Sequence, residues 1–207
     1  MSKLSVENHD DKFFLIKNVL SKEEAVMYTQ SLYEGSVADP EFNMRFYNIK
    51  QNLAGLFGKN IDSESIIIPT DPHEDKTRLF DIIKYCSLFI KDNFELDSTL
   101  EFKRSFIHIM EPTSIISAHN DDNDAFKGDG EQKHYSAVLV FNDNYDGGDF
   151  HFYNLGISMK PEPGTLLIFR GDEERLHGVE TVTSGYRVSM PIFFRTLKLS
   201  ENKLGVI

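Results

Sequence analysis

His119-Asn120-Asp121 sets one imidazole and one carboxylate two residues apart. At the end of a β-strand, positions i and i+2 point to the same face, so these two side chains can converge. A second imidazole, His177, stands far downstream in Arg175-Leu176-His177-Gly178-Val179, within another strand-like run. Two imidazoles and one carboxylate suit a non-haem Fe(II) site with three coordination positions left open. Arg187 follows, with Ser189 two residues on. A guanidinium fork matches a carboxylate with paired hydrogen bonds, so a metal and an anion anchor could share one pocket.

The spacing of this last pair sets a condition on the chain. If Thr183-Ser184-Gly185 is a three-residue hairpin loop, Val182 pairs with Tyr186 and Thr181 with Arg187. His177, Thr181 and Arg187 then share a face, with Arg187 roughly 13 Å along the sheet from His177. An extended arginine and a five-carbon diacid can span that gap. A two-residue turn would put Arg187 on the opposite face. Within the last strand, Arg187, Ser189 and Phe193 form one face, while Tyr186, Val188, Met190, Ile192 and Phe194 form an apolar one. That division fits a strand that lines a polar cavity and packs its back on helices.

The elements that must position these residues divide into two textures. Up to about residue 98 the pattern is mostly helical, after a short strand at Lys12–Asn18. Ser21 and Glu24 make a capping box for a helix expected to stop at Gly35. A second helical stretch is expected within Phe42–Phe57. A third spans Glu74–Phe94, where Leu79, Ile82, Ile83, Cys86, Phe89 and Ile90 mark one buried face. From Leu100 onward, short runs rich in Val, Ile, Phe and Thr alternate with Gly, Pro and Asn/Asp turns. Strands are expected at Glu101–Met110, Ser114–His119, Tyr135–Phe141, Asp149–Tyr153, Thr165–Phe169, Leu176–Val182 and Tyr186–Phe194. The predicted class is mainly β with flanking helices (α+β): a jelly roll closing around a cavity, packed on N-terminal helices. One domain over 1–207 is expected, with a helical support region at 1–99 and a catalytic core at 100–197.

Composition narrows the functions. The chain has 207 residues, 40% of them hydrophobic and 12% aromatic, which is enough for a real core. Its single cysteine, Cys86, excludes an internal disulfide framework and any multi-thiolate metal site. No run approaches the ~18 apolar residues of a membrane span, and the N-terminus lacks the order of a signal peptide. A cytoplasmic, membrane-free protein is the expectation. Net charge is −11, which argues against nucleic acid as a partner.

The ordered set His119-x-Asp121, Tyr135-SAVLVFND-Asn144-YDGGDFHFY, KPEPGTLLIFRG, Leu176-His177-Gly178-Val179 and Tyr186-Arg187-Val188-Ser189 resembles the 2-oxoglutarate- and Fe(II)-dependent dioxygenases, in their prolyl 4-hydroxylase-like branch. The resemblance covers roughly Phe102 to Arg195, and more faintly FFLIKNVLSKEEA near the start. It implies a double-stranded β-helix, iron held by His119, Asp121 and His177, and the distal carboxylate of 2-oxoglutarate held by Arg187 and Ser189. It also implies O2 as co-reactant, ascorbate as reductant and hydroxylation of a C–H bond, in this branch of a prolyl residue in a peptide or protein. Many members carry a cosubstrate-contacting tyrosine on the strand leading to H-x-D; here that stretch reads His108-Ile109-Met110-Glu111-Pro112.

Simpler readings stand beside these. His119 with Asp121 could be a surface pair, His177 a core histidine and Arg187 a strand-end salt bridge. Asp121-Asp122-Asn123-Asp124 with Gly128-Asp129-Gly130-Glu131 fails EF-hand spacing, since Phe126 occupies a ligand position. The Asp122–Lys133 loop is read as a connection or a flap over the site. His151 is a candidate for the substrate pocket, and His9, His73, His108 and His134 are read as structural or surface. A free amino acid or other small metabolite is an alternative substrate. The rival of a different class is a non-catalytic, cupin-like metal or sugar binder.

Overall fold

A computed structural model describes residues 4–10, 12–38, 65–69, 78–96, 99–121 and 133–197. The helix expected within 42–57, His73 and loop residues 122–132 lie outside the described residues.

Seven strands form the major sheet: β1 (Ser5–Asp10), β2 (Phe13–Lys17), β3 (Ser65–Pro69), β4 (Thr99–Met110), β6 (His134–Val140), β10 (Leu166–Arg170) and β13 (Arg187–Leu197). Their spatial order is β1-β2-β10-β6-β13-β4-β3. A four-stranded sheet, β5-β11-β8-β9, comprises β5 (Ile116–His119), β8 (Phe150–Phe152), β9 (Ile157–Met159) and β11 (His177–Val179). β7 (Asp146–Gly147) and β12 (Val182–Ser184) make a separate two-stranded ribbon. Helices α1 (Lys22–Ala38) and α2 (Arg78–Asn93), with short 3-10 helices at Tyr153–Leu155 and Glu173–Arg175, complete the described elements. This is the mainly β, double-stranded β-helix architecture with flanking helices.

Alternation along the strands builds the layers. Phe14 and Ile16, Ala137 and Leu139, and Leu166 and Ile168 face the helices, packing with Ala25, Ile82, Cys86 and Ile90. The intervening Phe13 and Leu15, Val138 and Val140, and Leu167 and Phe169 pack instead with Phe150, Phe152 and Val179 of the smaller sheet. Two cores therefore back onto one sheet, and the second lies beneath the candidate site. The capping box forms: the Glu24 amide donates to Ser21 Oγ at 3.1 Å, and the Ser21 amide donates to Glu24 Oε2 at 2.7 Å.

Four local expectations need correction. The hairpin through Thr183-Ser184-Gly185 does not exist, because Val182 and Ser184 pair with Gly147 and Asp146 while Arg187 pairs with Met110. The run Leu176–Val182 is accordingly two strands belonging to different sheets. Gly35 lies within α1, where an interior glycine costs only about 1 kcal/mol against alanine. β1, β3 and β9 are additional strands; β1 is a polar, exposed edge and β9 only three residues long, so neither shows a strand-like apolar pattern.

Candidate active site

β5 and β11 run antiparallel with His119 directly opposite His177. Asp121 lies just past the end of β5, and the three side chains converge so that one ligand atom from each falls within 4.8 Å of the others. Asp121 Oδ1 is 3.6 Å from His119 Nε2, and Oδ2 is 3.5 Å from His177 Nε2. Both rings are held through Nδ1, by the Ser117 carbonyl for His119 and the Arg175 carbonyl for His177, each at 2.8 Å. A ring that donates Nδ1–H keeps its Nε2 lone pair for a metal. The Ser136 hydroxyl donates to Asp121 Oδ2 at 2.5 Å and fixes the carboxylate.

Two glycines make this approach possible. A Cβ on Gly178 would meet the Ile116 carbonyl oxygen at 2.6 Å, so only glycine lets β11 lie this close to β5. A Cβ on Gly171 would meet Asp121 Cβ at 2.9 Å.

The electrostatics suit a cation. Burial works against ionising Asp121, but His177, His119 and Ser136 together hold its carboxyl well below the usual range. Burial lowers the His177 pKa, partly opposed by Asp121, which favours the neutral, ligating ring. Burial also acts downward on His119, yet its bond to Asp121 leaves the pKa raised.

Arg187 reaches the same cavity from the other sheet. It opens β13, lies between β6 and β4, and is 1% exposed. Its Nη1 donates to Ser189 Oγ at 2.7 Å and lies 4.0 Å from Met110 Sδ. Its Nε and Nη2 are buried with no hydrogen-bond partner among the described residues. Buried donors left unmade are costly, so this cation is shaped for an anion that the described residues do not supply. Burial lowers the Arg187 pKa and Tyr145 opposes that shift, so the phenol stands within electrostatic reach of the guanidinium. The Tyr145 hydroxyl is likewise buried without a hydrogen-bond partner among the described residues.

The cavity that these groups line has a volume of about 370 Å³, with Phe150, Phe169 and Val138 in its wall. All five site residues expected from the sequence thus line one space, although Arg187 arrives across the sandwich rather than along one sheet. His108 and His134 also line the cavity. His151 does not: its Nε2 lies 2.9 Å from Glu180 Oε1 and 3.2 Å from Ser158 Oγ. Ser136, Tyr145 and Arg104 were not singled out by the sequence. Ser136 had one faint signal, a hydroxyl in the otherwise apolar run Tyr135–Phe141.

Residues 105–195 match the family model of the 2OG-Fe(II) oxygenase superfamily. The matched stretch contains all five site residues and supports a 2OG-Fe(II) oxygenase. Mouse prolyl 3-hydroxylase 2 is 27% identical over 214 residues, covering 87% of this chain and 29% of that protein. The chain therefore spans less than a third of this relative's length. Among solved structures, the viral collagen prolyl hydroxylase of Paramecium bursaria Chlorella virus-1, in its 2-oxoglutarate complex, superposes with a TM-score of 0.65. It is 19% identical and covers 90% of this chain and 97% of its own. A Trichoplax adhaerens prolyl hydroxylase in complex with a hypoxia inducible factor peptide fragment gives 0.61 at 14% identity, covering 89% and 83%. The family's metal and cosubstrate are Fe(II) and 2-oxoglutarate; the His-Asp-His triad fits the first, and the Arg187 donors without a partner among the described residues fit the second.

Proposed function

We propose that this enzyme hydroxylates a prolyl residue in a peptide or protein. The observation that carries the chemistry is the pairing, in one cavity, of a His-Asp-His triad with a buried guanidinium whose Nε and Nη2 lack partners among the described residues. His119, Asp121 and His177 would hold the iron; Arg187, Ser189 and Tyr145 would hold the distal carboxylate of 2-oxoglutarate. Bound there, iron and cosubstrate supply oxidative C–H hydroxylation coupled to release of succinate and CO2.

The chain's own residues do the rest. Ser117 and Arg175 carbonyls fix the imidazole tautomers, and Ser136 fixes the rotation of the carboxylate. Ser189 accepts from Arg187 Nη1, which leaves its own hydroxyl proton to donate to an incoming carboxylate. Phe150, Phe152 and Phe169 pack against the His177 ring and exclude water from that side of the triad.

Support for a prolyl substrate comes from the relatives: the mouse protein and both structural neighbours are prolyl hydroxylases by name. A non-catalytic metal binder has no use for a fully buried guanidinium with donors left unpaired by the described residues. The test is a panel of proline-containing peptides and free amino acids with Fe(II), ascorbate and 2-oxoglutarate. Substrate-dependent succinate and one added oxygen on proline are expected. Stimulation by free amino acids alone would replace the peptide reading with the metabolite one.

A further inference from the structure

Arg187 stands at a place where the major sheet changes hands. β6 ends at Val140, whose ladder partner in β13 is Ser189. One bond further, the Phe141 amide donates to the Val188 carbonyl at 3.1 Å. β13 itself continues back to Arg187, paired with Met110 of β4. The N–H and C=O of one strand residue point to the same side, so the Val188 amide also faces the side that β6 is leaving. Val188 is buried, and a buried amide left unpaired is costly.

A side chain takes over from the strand. Asn142 is buried, and its Oδ1 accepts from the Val188 amide at 2.7 Å while its Nδ2 donates to the Tyr186 carbonyl at 2.7 Å. These two bonds bracket Arg187, so a carboxamide replaces the peptide group that the ladder would otherwise supply. Its orientation is fixed by its partners: a backbone N–H only donates and a carbonyl only accepts, so Oδ1 must face Val188 and Nδ2 must face Tyr186. Nδ2 also donates to Asn144 Oδ1 at 2.7 Å, on the residue before Tyr145. One buried amide thus ties the backbone that carries Arg187 to the segment that carries Tyr145.

The two segments are closely apposed beside this amide. Gly185 has a φ of +70°, and a Cβ there would meet the Asn144 carbonyl oxygen at 2.8 Å and Tyr145 Cα at 3.1 Å. Tyr145 is held from a further direction, since Lys160 Nζ donates to its carbonyl at 2.7 Å and lies 4.5 Å from its ring centroid. Asn142 does not itself line the cavity, so whatever it does for a ligand it does through Arg187 and Tyr145.

We infer that Asn142 is the positioning residue of the oxoglutarate anchor: its carboxamide sets the Arg187 backbone, and its register against Tyr145, before a carboxylate binds. This rests on the assignment of Arg187 to 2-oxoglutarate made above. Asparagine is the side chain that fits, because an aspartate could still accept from Val188 but would turn lone pairs toward the Tyr186 carbonyl and Asn144 Oδ1.

The experiment compares wild type with Asn142→Ala and with the isosteric Asn142→Asp, using Ile82→Ala in the helix-side core as a destabilised control. The readouts are calorimetric affinity for 2-oxoglutarate with Mn(II) bound, affinity for Mn(II) itself, and amide exchange at Val188 by NMR in the metal-free protein. Both Asn142 variants should bind 2-oxoglutarate about tenfold more weakly with Mn(II) affinity unchanged, the scale on which a displaced anchor acts. In Asn142→Ala the Val188 amide should also exchange faster with no ligand present. Ile82→Ala should lower the melting temperature and leave 2-oxoglutarate affinity within about twofold. Added to Arg187→Ala, Asn142→Ala should weaken binding by less than about threefold more, because its effect passes through the guanidinium, whereas a separate structural loss would add in full. Wild-type affinity in Asn142→Ala, or full additivity with Arg187→Ala, overturns the proposal and leaves the Arg187 anchor standing. Wild type that does not bind 2-oxoglutarate removes the anchor, and the proposal with it. Should both position-142 variants unfold, Asn144→Ala, at an exposed side chain, decides: about threefold weaker binding is expected, and unchanged affinity overturns the proposal.

Discussion

His119 and His177 are direct cross-strand partners, with ring centroids 4.4 Å apart, and each ring is held by the carbonyl two residues upstream in its own chain segment. The metal grip is thus a property of one antiparallel strand pair, completed by the residue at which β5 gives out. The two carbonyls hold both rings, and each Nε2 lies within 3.6 Å of an Asp121 carboxylate oxygen.

Removing either imidazole should therefore abolish tight metal binding and leave the fold. His119→Ala and His177→Ala are expected to show no stoichiometric uptake in a Co(II) or Fe(II) titration, with near-native circular dichroism. His177 is buried among Phe150, Phe152 and Phe169, so its loss should also lower the melting temperature by several degrees, corresponding to about 1–2 kcal/mol. Retained stoichiometric metal binding in either variant would remove the assignment.

Ser136 acts through Asp121. Ser136→Ala deletes the hydroxyl that donates to Oδ2 and should weaken metal affinity by about 10–100-fold. Gly171→Ala attacks the same carboxylate sterically, since its Cβ would press on Asp121 Cβ at 2.9 Å. Metal titration of both variants checks this; affinity unchanged in Ser136→Ala would mean that the carboxylate is oriented by the metal itself.

Acid should weaken metal binding, and His119 sets the sign. Asp121 raises its pKa in the metal-free fold, despite the opposing effect of burial. A raised histidine pKa stabilises the metal-free protein below the unfolded value and loses that contribution as pH rises through the folded value. Metal needs the deprotonated ring, so its affinity moves the other way. Co(II) affinity measured across pH 6 to 8 should rise with pH and then level. The thermal advantage of metal-free wild type over His119→Gln should grow toward acid pH. A metal affinity flat over that range contradicts the coupling.

Much of this site was legible in the sequence because its chemistry is ordered along the chain. The i, i+2 spacing of His119 and Asp121 survives folding, since it depends only on local strand geometry. The two faces of β13 were legible for the same reason: alternation puts Arg187, Ser189 and Phe193 in the cavity and Val188, Met190 and Ile192 against the helices. What local pattern cannot supply is which sheet a strand joins. Val182 and Arg187 are close in sequence but part into different sheets, so the hairpin route to Arg187 fails although its destination is right. Tyr145 escaped because nothing local marks a buried phenol beside a guanidinium formed 42 positions later.

Arg187 separates an oxoglutarate enzyme from a metal binder most directly. Its Nε and Nη2 are buried and lack partners among the described residues, so a bound carboxylate would gain paired charge-assisted bonds from them. Truncating one partner of such a buried pair costs about 3 kcal/mol or more, roughly a hundredfold in affinity. The decisive measurement is a 2-oxoglutarate titration of succinate release by wild type, Arg187→Ala and Tyr145→Phe, beside a metal titration of the same proteins. Arg187→Ala should raise the 2-oxoglutarate requirement about a hundredfold and Tyr145→Phe by a smaller factor, with metal affinity little changed in both. An unchanged 2-oxoglutarate dependence in Arg187→Ala would contradict the account.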